Sequence, residues 1–347
     1  MGIIQVEGAQ IEQPPLAGAP GRGPIHAPPD ARAPRWRLGV ATRIAGAPLR
    51  AHDSRRWQQQ PHLSVSLACV RDILAYLERA AIRFYRLSSS LAPYATHPGL
   101  PGFHSQISEC GTELAALGDD VRRAGFRLTM HPSPYVRLES EDEALVRRAQ
   151  QELTVAAQLL DAMGLDDNSV LVIHAGNGDG QAALARVARR VEQLAPGVRS
   201  RLAVENGDRG SDLRACLWLH RRTGLPVVLD VLHHRCLNPA RLPLEEALVR
   251  ALATWPAGVR PKIHLSSSRT ELRSLRRNGR AYVVAPLPNQ HSDFISPFEC
   301  VDLLRLAEAQ RLRPFDIMLE AKAHELALLR LRSQIALYAP ELAGLVG

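Results

Sequence analysis

Leu202-Ala203-Val204-Glu205-Asn206, a polar turn, a helically spaced run from Leu213 to Arg222, and then Val227-Val228-Leu229-Asp230 decide the fold. Two short β-rich runs joined through a helix are the unit of a parallel sheet, because parallel strands need a crossover connection. The same alternation extends in both directions. Strands are predicted at Trp36–Ala41, Ile82–Leu87, Phe126–Met130, Val170–Ile173, Leu202–Val204, Val227–Leu229, Lys262–Leu265 and Phe315–Leu319. Helical spacing fills the intervals at Leu63–Ala80, Glu113–Ala124, Glu143–Met163, Ala182–Leu194, Leu213–Arg222, Leu244–Ala253 and Pro297–Gln310, with a last run at Ala321–Leu337. Eight such repeats in 347 residues predict one α/β domain closed into a (β/α)8 TIM barrel. Residues 1–34 are rich in Pro, Gly and Ala without apolar periodicity and read as a flexible tail, leaving 35–347 as the barrel.

Composition sets the limits. With 46% hydrophobic residues the chain can bury a sizeable core, and no run of about 18 uncharged apolar residues predicts a membrane span. Met1 to Arg22 lacks the basic start and apolar stretch of a secretory signal, so a cytoplasmic monomer is expected. Cys69, Cys110, Cys216, Cys236 and Cys300 are odd in number and scattered, which fits small buried thiols rather than disulfides or a zinc ribbon. The net charge of +8 favours a polyanionic partner. Among the 43 basic residues only Lys262 and Lys322 are lysines. An amine can release its proton or be carbamylated where a guanidinium cannot, so both positions are read as sites that need an amine.

In a TIM barrel the chemistry sits where the C-terminal strand ends converge. Strand three ends in His131, strand four in His174, strand five in Glu205, and strand six in Asp230 with His233 and His234 beyond. Strand seven carries Lys262 and His264 on one face, and its loop brings His291; strand eight ends in Glu320. A lone histidine or carboxylate at a strand end is usually a structural hydrogen-bonder or a helix cap. Six consecutive strands ending this way would crowd like charges and imidazoles into one mouth, at high cost unless cations neutralise them. Imidazole and carboxylate without thiolate suit Mn²⁺, Zn²⁺ or Fe²⁺, and about eight candidate ligands imply two or three ions. Clustered ions of this kind are machinery for cutting phosphodiesters. Lys262 reads equally as a phosphate-binding or carbamylated amine and as an interior lysine paired with a carboxylate.

The chain resembles the UV-damage endonucleases. The resemblance is carried by Phe84-Tyr85-Arg86-Leu87-Ser88-Ser89 with His97-Pro98, Met130-His131-Pro132, Val172-Ile173-His174 and Val204-Glu205-Asn206. It continues through Leu229-Asp230-Val231-Leu232-His233-His234, Lys262-Ile263-His264-Leu265-Ser266-Ser267, His291-Ser292-Asp293-Phe294-Ile295 and Met318-Leu319-Glu320-Ala321-Lys322. It implies an enzyme that nicks damaged double-stranded DNA immediately 5′ of a lesion, leaving a 3′-hydroxyl and a 5′-phosphate. The implied metal is manganese, with Zn²⁺, Fe²⁺ or Mg²⁺ as alternatives. Carried onto this sequence, one ion takes His131, His174 and Glu205; a second shares Glu205 and adds Asp230, His264 and Glu320; a third uses His233 and His291. His97 and Lys262 then face the scissile phosphate, and Tyr135 is the side chain that probes the damaged duplex.

Three positions depart from the family pattern. His131-Pro132-Ser133-Pro134-Tyr135 has Pro134 where a glutamine probe is usual, Val40 replaces a tyrosine after Leu38-Gly39, and Gly207-Asp208 replaces an acidic pair after Glu205-Asn206. Three rivals follow from the same residues. A metal-dependent sugar isomerase on this barrel would use fewer histidines and need no basic surface. A multinuclear iron oxygenase would consume oxygen. A DNA-binding barrel without chemistry would be expected to lack ligands, and none is missing.

Overall fold

The hydrophobic runs that set the sequence pattern are buried on both faces in the structure, as strands of a parallel sheet covered by helices must be. The computed structural model describes residues 34–133, 136–176 and 180–347. The tail expected over 1–34 falls, except for Pro34, outside the described residues, as do Pro134 and Tyr135. The barrel strands are β1 (Trp36–Ala41), β2 (Phe84–Leu87), β3 (Arg127–Met130), β4 (Leu171–His174), β5 (Leu202–Glu205), β6 (Val227–Val228), β7 (Lys262–Leu265) and β10 (Phe315–Leu319). They pair in the parallel order β6-β5-β4-β3-β2-β1-β10-β7. The ring closes between β6 and β7 through one parallel bridge, Asp230 to His264, where the His264 N–H donates to the Leu229 carbonyl at 2.9 Å. Each expected strand and helix is present with ends shifted by a few residues.

Besides short helices at Gln106–Glu109, Pro196–Ser200 and Pro340–Ala343, two features near the strand ends were not expected from sequence. An antiparallel hairpin, β8 (Arg273–Arg277) and β9 (Arg280–Val284), stands in the loop after β7, and a short helix at Val231–Cys236 follows β6. Helix starts are fixed by side-chain caps: Asp142 accepts from the N–H groups of Ala144 and Leu145, Asp212 from that of Ala215 and Asp230 from that of His233. Among the described residues no helix is long and apolar enough to cross a membrane. All five cysteines are free; Cys110, Cys216 and Cys300 are buried, whereas Cys236 is exposed, contrary to the expectation of uniformly buried thiols.

Strand register stacks the inward side chains in layers. At the middle, Gly39 pairs with Phe84, and a Cβ on Gly39 would stand 2.3 Å from Phe84 Cδ1, so the glycine makes room for a ring that fills the barrel. At the N-terminal end Asp316 is fully buried, 2.9 Å from Arg127 Nη1, 2.5 Å from Arg260 Nε and 3.8 Å from Arg37 Nε. Arg127 also donates to the Asn168 carbonyl at 2.8 Å, and Arg260 to those of Pro34 and Arg35 at 2.7 and 2.8 Å.

Candidate metal centre

Because the parallel strands run in register, their ends lie side by side: His174 pairs with Glu205, and Asp230 with His264. The chain therefore delivers its ligand-type residues to one plane. Glu205 is the hub. Its Oε2 lies 3.0 Å from His131 Nε2 and 3.8 Å from His174 Nε2; its Oε1 lies 2.8 Å from His264 Nδ1 and 3.6 Å from His233 Nδ1. Asp230 Oδ2 is 3.7 Å from His233 Nδ1. Glu320 reaches His264 Nδ1 at 3.4 Å and His291 Nδ1 at 3.9 Å, and Arg86 donates to its Oε1. Side-chain exposure rises from 0% at His264 to 13% at His233, 25% at His291 and 39% at His174, so a buried carboxylate floor carries a rim of imidazoles.

Electrostatics follow from that burial. Desolvation would raise the Glu205 carboxyl, but the imidazoles of His264 and His174 and hydrogen bonds from His131 and His264 hold it well below the usual range. Asp230 goes the other way. Burial pushes its carboxyl well above the ordinary value, His233 opposes, and the charges of Glu205 and Glu320 reinforce the rise. Burial lowers His264 to about 4 and also depresses His174 and His291. These imidazoles keep their lone pairs at neutral pH, the state that a metal ligand requires.

A cation fits these residues. Two triads, His131–His174–Glu205 and Glu205–Asp230–His264, each present ligand atoms within 4.8 Å of one another and share Glu205. Asp230 Oδ2 and His264 Nε2 are buried with no hydrogen-bond partner among the described residues, which is costly unless something else satisfies them. His131 sets Nδ1 3.2 Å from the Pro132 carbonyl and Nε2 3.0 Å from the Glu205 carboxylate, two acceptors of which a neutral imidazole can satisfy only one, whereas a cation at the other nitrogen would satisfy both.

The other expected site residues are distributed unevenly. Lys262 is fully buried on the same face of β7 as His264; its Nζ is 3.4 Å from Thr129 Oγ1 and 5.6 Å from the centre of the Phe84 ring. Burial, with Arg86 and Arg127 adding repulsion, holds its amine well below the usual lysine range. Lys322 shares none of this: its side chain is exposed. His97 is exposed in the loop after β2 and bonds within that loop, where its Nδ1 accepts from the Gly99 N–H at 3.2 Å. Val40 is buried among core side chains. Beside His131 and His174 opens a cleft of about 220 Å³ lined by Arg137, Glu139, Gly207 and Asp208.

Two residues that hold the site were not singled out from sequence. Arg86 sits inside the Phe84-Tyr85-Arg86-Leu87 stretch, and its charge draws the Glu320 carboxyl far down against the effect of burial. Asn206 clamps Asp230 from both sides: its Nδ2 donates to the Asp230 carbonyl at 3.1 Å and its Oδ1 accepts from the Asp230 N–H at 2.9 Å.

Comparison with known proteins decides the family. The sequence profile of UV-endonuclease UvdE matches residues 47–342. The chain belongs to the UvdE family. It is 31% identical over 290 residues to the UV DNA damage endonuclease of Bacillus velezensis, covering 82% of this chain and 85% of that one. The crystal structure of SacUVDE superposes with a TM-score of 0.72 at 28% identity, covering 86% of this chain and 98% of that chain. Endonuclease IV from Thermus thermophilus shares the fold, with a TM-score of 0.54 at 19% identity over 86% of this chain and 98% of its own. UvdE membership makes the chain an endonuclease and sets aside the sugar-isomerase and oxygenase readings.

Proposed function

We propose that this protein is a metal-dependent hydrolase of damaged duplex DNA that nicks the phosphodiester immediately 5′ of a lesion, leaving a 3′-hydroxyl and a 5′-phosphate. The observation that carries the reading is the pair of triads sharing Glu205, with buried Asp230 Oδ2 and His264 Nε2 unpartnered between them. His131, His174 and Glu205 would hold one divalent ion, and Glu205, Asp230, His264 and Glu320 a second; His233 and His291 are assigned to a third. Manganese is the expected metal. Bound ions supply Lewis acidity toward a phosphoryl oxygen and a hydroxide near neutral pH.

The chain's own residues prepare this. Arg86 donates to the Glu320 carboxylate and Asn206 bonds both backbone groups of Asp230, so the chain's own hydrogen bonds orient two members of the buried floor. Lys262 and His97 are assigned to the scissile phosphate, and Tyr135 to stacking at the lesion, where each base–aromatic contact contributes about 1–3 kcal/mol. The enzyme is read as a cytoplasmic monomer. The test has two arms. Protein purified without chelator should carry at least two ions per chain, and adding Mn²⁺ at about 100 times its Kd should stabilise the fold by about 2.7 kcal/mol. With Mn²⁺ it should nick UV-irradiated supercoiled plasmid faster than unirradiated plasmid. One ion or none after reconstitution, or equal nicking of both plasmids, overturns the proposal.

A further inference from the structure

The β8–β9 hairpin has no part in the chemistry described above, yet it grows from the rim of the site. Its base is tied by the antiparallel bridge of Ser268 with His291, by the Ser292 N–H donating to Ser267 at 2.9 Å and by the Arg269 N–H donating to Gln290 at 2.7 Å. The Asn289 side chain donates to Asp208, beyond β5. From there five registered pairs run to a turn in which Asn278 and Gly279 both have positive φ, 51° and 75°. At about 3.4 Å per residue each strand extends roughly 17 Å, the length of about five phosphate steps along one DNA strand.

Its composition is unsuited to packing on the barrel. Residues 273–284 contain no carboxylate and four exposed arginines, Arg273, Arg276, Arg277 and Arg280, none with an acidic partner among the described residues. Cross-strand register places Arg273, Arg277 and Arg280 on one face together with Leu275 and Tyr282. Arg277 stands directly opposite Arg280, a like-charge pair that weakens the hairpin itself. Leu275 opposite Tyr282 accounts for the register; nothing inside the protein accounts for the arginines. A two-stranded ribbon is only marginally stable unaided, so opposed guanidiniums at its tip are a poor choice unless an anion sits across them.

We infer that this hairpin is an arm that grips the phosphate backbone of the DNA flanking the cut, through Arg273, Arg277 and Arg280. The inference rests on the proposal that the substrate is DNA. The experiment measures binding of a lesion-containing duplex across a salt series by wild type, by an Arg273→Ala/Arg277→Ala/Arg280→Ala variant and by the corresponding triple Lys variant. Each neutralised phosphate contributes roughly 0.9 to the slope of log K against log salt. The triple Ala variant should therefore lose about 2.7 from that slope, shrinking the fall in affinity between about 50 and 200 mM salt by about 40-fold. The triple Lys variant keeps the charge and should keep the slope. Removing three arginines from the helices instead, Arg189→Ala/Arg199→Ala/Arg222→Ala, should leave the slope near that of wild type. Circular dichroism and ion content verify that each variant is folded. If the triple Ala variant binds with the wild-type affinity and slope, the arm assignment is wrong while the proposed substrate stands. If the wild type itself does not bind DNA, the substrate reading falls and the arm falls with it.

Discussion

The two ends of this barrel bury carboxylates in opposite ways. Asp316, at the N-terminal end, is surrounded by Arg127, Arg260 and Arg37, whose charges are permanent and whose other donors are largely taken up by backbone carbonyls. Glu205, at the C-terminal end, is surrounded by imidazoles, which balance a carboxylate only when protonated or when a cation lies between. In the first arrangement the chain itself pairs both carboxylate oxygens, and the atom left over is a donor, Arg127 Nη2, with no acceptor beside it among the described residues. The second leaves Asp230 Oδ2 and His264 Nε2 unsatisfied. The same fold therefore spends one buried carboxylate on stability and keeps another for function, with the division expected of this architecture.

That contrast breaks if mutations at the two ends have similar consequences. Glu205→Gln should reduce nicking by about 10⁴-fold, roughly 5.4 kcal/mol in the barrier, because one carboxylate serves both triads. Its urea denaturation midpoint without metal should stay close to that of wild type; a variant that still cuts well would remove Glu205 from the centre. Asp316→Ala should do the reverse. Stranding Arg127 beneath the barrel should cost about 3–5 kcal/mol of unfolding free energy, with ion content retained by the folded fraction. A loss below about 1 kcal/mol would mean that the arginines need no carboxylate there. The smallest effect sharpens the comparison within the mouth. Asn206→Ala frees Asp230 without removing a ligand, and should weaken metal affinity by about 10–100-fold in a chelator competition. Unchanged affinity would show that Asp230 is held in place without it.

Much of the site could be read from sequence, because a strand in a parallel barrel announces its end and the next residue is the one that matters. His131, His174, Glu205, Asp230 and Glu320 were found this way, His264 from its place two residues after Lys262 within β7, and the structure brings all six together. Supporting residues were harder to see. Arg86 is one of 43 basic residues and its strand-end position competes with the ordinary reading of a surface arginine. Asn206 is neutral and carries no charge pattern to flag it. Asp316 lies within the apolar run Phe315–Leu319, where a carboxylate signals nothing until its partners from β1, β3 and the segment before β7 are known. The hairpin escaped because Arg273–Arg277 and Arg280–Val284 lack the apolar alternation of a half-buried strand. Asn278-Gly279 was its one local signal, a dipeptide that favours the tight turn of a two-residue hairpin loop.

The single rung between β6 and β7 has a mechanical meaning. A strip of strands wrapped into a ring behaves like a strap, and its buckle here is the contact of Asp230 with His264. Both residues also present unsatisfied atoms to the mouth. Whatever draws those two side chains toward a common point pulls the strap tight, and whatever parts them loosens the circumference on which every other strand end is mounted. The pair that closes the ring of strands is thus also a pair that lines the mouth of the site.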